Sequence, residues 1–77
     1  MEIIKETQYL SFQLVPTKGT TKRIAVVNRH HQETIGEIKW FGSWRQYCFF
    51  PYTETIWNTT CMEDVQGVIK DLMDERN

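Results

Sequence analysis

Apolar and polar side chains alternate along Tyr9–Val15, where Leu10, Phe12 and Leu14 point one way and Ser11 and Gln13 the other. A period of two marks a strand buried on one face. Pro16–Thr21 breaks the alternation with a proline and a glycine and predicts a turn. Arg23–Asn28, rich in β-branched residues, predicts a second strand, the polar Arg29–Glu33 a connection, and Thr34–Phe41 a third strand. Gly42-Ser43 predicts a tight turn, and Trp44–Phe50 a fourth strand closed by Pro51. Ile56-Trp57 adds either a short fifth strand or an indole dropped onto the core.

The period then lengthens. Val65, Val68, Ile69 and Leu72 follow the i, i+3, i+4, i+7 spacing of an amphipathic helix, with Met62 and Met73 extending the stripe. Thr60 and Glu63 have the spacing of a capping box, and Asp64 adds negative charge at the positive end of the helix dipole. Gly67, inside the helix, costs about 1 kcal/mol relative to alanine, which a close approach of helix to sheet would justify. Met1–Thr7 has no clear period and predicts a loose leader or a short strand. The whole predicts an α+β fold: an antiparallel four- to five-stranded β-meander with one C-terminal α-helix packed on one face. It forms a single domain over residues 1–77.

Seventy-seven residues leave no room for a second domain. A chain this short buries only roughly 60% of its unfolded surface, so its aromatic content, or a homo-oligomer, has to supply stability. The formal net charge of −1 and the pI near 6.1 fit neither a strongly basic duplex-DNA binder nor an acidic DNA mimic. Cys48 and Cys61 are read as reduced thiols acting as small hydrophobes in a cytoplasmic protein, and no segment approaches the length of a membrane span.

Chemistry concentrates in Ile35–Pro51. This stretch holds two of the three tryptophans, three of the four phenylalanines and one tyrosine. In the fourth strand Trp44, Gln46, Cys48 and Phe50 share one face and Arg45, Tyr47 and Phe49 the other. In the third, Gly36, Ile38 and Trp40 alternate with Ile35, Glu37 and Lys39. Both faces carry rings, and only one can pack on the helix. The other exposes rings beside Arg45 and Lys39 or Arg29, unless a second subunit or the leader covers it. Aromatic faces beside a guanidinium suit a nucleobase and its phosphate. The plainer alternative is that the rings are core or dimer interface, with Arg45 lying over them.

The hairpin resembles a family of small uncharacterised proteins from bacteria, phages and prophages. The residues that carry the likeness are Ile38-Lys39-Trp40, then Trp44-Arg45-Gln46-Tyr47-Cys48-Phe49-Phe50-Pro51, then Trp57 and Cys61 before the terminal helix. It implies a phage or mobile-element context and a meander-plus-helix shape, and no activity. The element order is also similar to the sheet-plus-helix DNA-binding domains at the N-termini of phage integrases, from which the balanced charge departs.

No base, orienting group and oxyanion site are marked around Cys48. The adjacent His30-His31 point apart in an extended segment, with no ligand partners at metal spacing. The expectation is a non-enzymatic binding module without cofactor or metal. It takes a nucleotide-type ligand or single-stranded nucleic acid on Lys39, Trp40, Trp44, Arg45 and Tyr47. The alternatives are a protein–protein inhibitor of a host defence or phage protein using the same surface, and a small DNA-binding regulator with a basic stripe of Lys18, Lys22, Arg23 and Arg29.

Overall fold

The computed structural model describes residues 2–76. Five strands, β1 (Glu2–Glu6), β2 (Leu10–Val15), β3 (Arg23–Asn28), β4 (Glu33–Phe41) and β5 (Gln46–Pro51), form one antiparallel sheet in the order β1-β2-β3-β4-β5. The helix α1 (Thr59–Arg76) follows and packs on one face. The α+β meander-plus-helix architecture is the one the periodicities predict.

Register assigns the faces. Phe12 sits opposite Val26, Ile24 opposite Ile38, and Trp40 opposite Tyr47. Their side chains meet Val65, Val68 and Leu72 of α1 in a core whose largest fully buried members are Phe12, Leu10, Ile24, Ile38 and Val26. Five large apolar side chains removed from water dominate the stability of a chain of this size. The other face carries Gln13, Ala25, Glu37, Lys39, Cys48 and Phe50, and no element packs over it among the described residues.

Several local expectations are corrected. Of the two readings of residues 1–7 the short strand holds and the loose leader does not: residues 2–6 pair with β2 as an edge strand; Met1 lies outside the described residues. A register shift at Ile4 and the charges of Glu2, Lys5 and Glu6 blunt that edge against further pairing. At the opposite edge, Tyr47 N–H donates to Met73 Sδ at 3.4 Å and Pro51 has no N–H to offer. Ile56-Trp57 forms no strand: the Trp57 indole stands edge-on to Phe49, 4.6 Å between centroids, and donates to Thr55 Oγ1 at 2.8 Å.

The helix cap lies two residues before the expected one. Asn58 is the N-cap, its Oδ1 accepting the Cys61 N–H at 2.8 Å, because an asparagine just outside the helix reaches the third orphan N–H better than Thr60 inside it. Met62 is exposed and stands off the buried stripe. Gly67 has no close neighbour to excuse it: a Cβ built there meets only Lys5 Nζ, at 3.6 Å. Gly67→Ala is therefore expected to stabilise the fold by about 1 kcal/mol, read as a higher urea midpoint at unchanged slope.

Candidate functional site

The β4–β5 connection is a four-residue loop, Gly42–Arg45, instead of the two-residue turn expected from Gly42-Ser43. Trp44 N–H donates to Phe41 O at 3.1 Å and Arg45 N–H to Gly42 O at 3.2 Å. Arg45 closes the loop with φ of 54°, a left-handed conformation, while the loop's own Gly42 stays out of that region. A side chain held there costs roughly 1–2 kcal/mol that glycine would avoid.

This loop lifts Trp44 and Arg45 off the sheet. Trp44 is 67% exposed and rests edge-on against Phe41, 5.0 Å between centroids. Phe41 leads to Phe50 at 6.2 Å, and Lys39 Nζ sits 4.6 Å over the Phe50 ring. Phe41, Trp44, Cys48, Phe49 and Phe50 line an open apolar cleft of about 200 Å³. Lys39 borders it over Phe50, and the exposed Arg45 follows Trp44 in the loop.

Beside the cleft, Glu37 organises the cations of the open face. Its Oε2 accepts from Arg23 Nη2 at 2.8 Å and Nε at 3.1 Å, and its Oε1 lies 3.2 Å from Lys39 Nζ. Burial by itself would raise the Glu37 carboxyl, but the hydrogen bonds and charges of Arg23 and Lys39 outweigh it and hold the group below the usual carboxylate range. Glu37 is thus ionised at neutral pH. Its bond and charge in turn raise the Arg23 guanidinium.

The five residues singled out in the sequence separate into two groups. Lys39 reaches the cleft over Phe50 and Trp44 lines it, while Arg45 is exposed in the loop beside Trp44. Trp40 and Tyr47 face each other on the helix side, 5.3 Å apart. Tyr47 is buried and its hydroxyl accepts the Lys22 N–H at 3.0 Å; the Arg76 guanidinium covers Trp40 at 4.1 Å. Their place on the open face is taken by the half-buried Phe41 and Phe50, neither of which was among the expected ligand-binding residues. A signal existed: Glu37 and Lys39 share a parity with Phe41, and charges mark the face that no helix covers.

The candidate basic stripe does not assemble. Lys22 reaches Glu75 at 2.8 Å on the helix side, Arg23 bonds Glu37 on the open side, and Arg29 lies 3.6 Å from Glu6 at the far end. Net charge nevertheless conceals a polarity. The helix carries five acidic and two basic side chains, a balance of −3, and the rest of the chain five acidic and seven basic, a balance of +2.

Among the described residues no cluster of His, Cys, Asp and Glu is placed to hold a metal, and no helix is long and apolar enough to cross a membrane. Cys48 and Cys61 are free thiols; burial, then the charge of Asp64, raises Cys61.

A full-length relative settles the lineage. The uncharacterised 9.3 kDa protein of Acholeplasma phage L2 is 35% identical over 74 residues, 95% of each chain. The chain belongs to that family of small phage proteins. No family model matches it, and no solved structure does. Membership in the phage family carries no activity with it, so function has to be argued from the open face.

Proposed function

We propose that this phage protein is a non-enzymatic module that binds single-stranded nucleic acid or a related nucleotide ligand on the open face of its sheet. Trp44 stacks on a base, with Phe41 and Phe50 supporting the platform, and Lys39 and Arg45 hold phosphate. The observation that carries the reading is the exposed Trp44 indole resting on the half-buried Phe41 and Phe50, with Lys39 over the Phe50 ring and the acidic helix on the opposite side. Stacking platforms beside cations are how sequence-tolerant single-strand binders work. Arg45 adds support: an arginine kept in a left-handed position, where glycine is cheaper, is strain of the sort that gathers at binding sites. Binding alone suffices for sequestration, so no catalytic group is needed.

The test is a fluorescence titration with oligothymidylate at several salt concentrations. Binding is expected to weaken steeply as salt rises, because phosphate contacts release counterions. Arg45→Gly should weaken binding severalfold and flatten the salt slope by about one contact. It should preserve or raise the thermal midpoint, since relieved strain of roughly 1–2 kcal/mol exceeds or matches the added chain entropy of about 0.5–1 kcal/mol. Absence of any binding at low salt would overturn the proposal and favour a protein partner on the same surface.

A further inference from the structure

We infer that the ligand is a strand of several nucleotides, one base of which enters a polar hollow at the opposite corner of the same sheet face. This rests on the reading above and names its substrate class.

The platform alone is a poor site for a mononucleotide. Its cleft of about 200 Å³ is open and falls below the roughly 300–1,000 Å³ of pockets that enclose small ligands. One ring face and two flexible cations leave most of a single nucleotide in water. A second concavity of about 220 Å³ lies on the same face, over β1–β3, lined by Ser11, Gln13, Val27, Arg29, Gln32 and Glu6 among others. Its chemistry differs. Arg29 is tied to Glu6 at 3.6 Å and donates to Thr7 O at 2.6 Å, so the hollow is nearly neutral. What it offers is hydrogen-bonding amides and a hydroxyl: Gln13 Nε2 donates to Ser11 Oγ at 3.2 Å. Side-chain amides carry both donor and acceptor, the pattern that base edges present in return. Neutral amides suit a base, and the charged platform suits phosphate and stacking.

One row of the sheet joins the two. Gln13 pairs with Ala25, Ala25 with Glu37, and Glu37 with Phe50, so the hollow and the platform are three strand spacings apart. At about 4.8 Å per spacing the path is roughly 14 Å. A single strand reaches the Phe50 edge of the platform in about four steps at a stacked rise of about 3.4 Å, and Trp44 in a few more by way of Phe41, 6.2 Å from Phe50 and 5.0 Å from Trp44. The path is kept low by Ala25 and Val27 and passes the half-exposed Arg23 and Lys39.

The experiment is a titration of the full chain with thymidine monophosphate and with oligothymidylates up to about eight nucleotides, on wild type, Gln13→Glu and Trp44→Ala. Gln13→Glu is isosteric and adds a negative charge to the hollow, far from the platform; its thermal midpoint is measured alongside, and Gln13→Ala replaces it if the fold is lost. Affinity is expected to rise at least tenfold between one and about six nucleotides and then level off. Gln13→Glu should weaken the longer oligomers about tenfold and leave the mononucleotide unchanged, whereas Trp44→Ala weakens every length. Equal affinity for all lengths overturns the inference and leaves the platform reading standing, and so does length dependence that Gln13→Glu does not alter. No binding at any length overturns both.

Discussion

Trp44→Ala is expected to weaken oligothymidylate binding between fivefold and about a hundredfold while leaving the unfolding midpoint where it was. The magnitude follows from the roughly 1–3 kcal/mol that stacking one base on an aromatic ring is worth, at about 1.4 kcal/mol per tenfold. The unchanged stability follows from position. Trp44 is 67% exposed and touches the fold through the edge of Phe41, so its removal uncovers little apolar surface. Trp40→Ala makes the contrasting control. That ring packs against the core, faces Tyr47 and lies under Arg76, so its loss should lower stability. A Trp44→Ala protein that binds as wild type would remove the platform from the mechanism.

The second large effect concerns the fold. Gly36→Ala should destabilise by about 1–3 kcal/mol, because an added Cβ would stand 2.7 Å from Phe49 Cε1, 2.9 Å from Cζ and 3.1 Å from Phe50 O. Phe49 has nowhere to retreat, since Trp57 is packed edge-on against its ring 4.6 Å away. Trp57 directly precedes the Asn58 cap, so pressure on Phe49 is passed to the start of α1. In a chain whose total stability is on the order of 4–12 kcal/mol, that loss is large. Replacing Phe49 by leucine in the Gly36→Ala background should recover part of it, the remainder being the contact with the Phe50 carbonyl. A double-mutant cycle in denaturant reads the coupling; strictly additive losses would mean that the Gly36–Phe49 contact is not the cause.

The meander and its helix were legible because one-sided burial writes itself into sequence as periods of two and 3.6, and here both are clean over Leu10–Leu14 and Val65–Leu72. The edge strand was not. Glu2–Glu6 is exposed throughout, so no buried face imposes alternation on it, and a register shift at Ile4 breaks what remains. The helix cap was misplaced because Thr60 and Glu63 mimic a capping box two residues past the true cap, and only backbone direction tells Asn58 from Thr60.

The site was half legible. Composition placed rings and cations in one hairpin, where Lys39 lies over Phe50 and Trp44 stands against Phe41. The periodicity of Trp44–Phe50 also kept the correct parity for Tyr47 and Phe49. What it could not supply was the length of the loop, since a left-handed arginine is not written as a turn signal. It equally could not say which ring-bearing face the helix takes, and that choice put Trp40 and Tyr47 inside and Phe41 and Phe50 outside. The near-zero net charge misled in another way, by averaging an acidic helix with a basic remainder.

The measurement that bears most directly on the central claim is an amide chemical-shift map of the isotope-labelled chain titrated with oligothymidylate at low salt. The open-face reading predicts that the largest changes fall on Lys39, Phe41, Trp44, Arg45, Cys48 and Phe50, with the outer side of α1 silent. Saturable shifts confined to α1, or none at all, would contradict it.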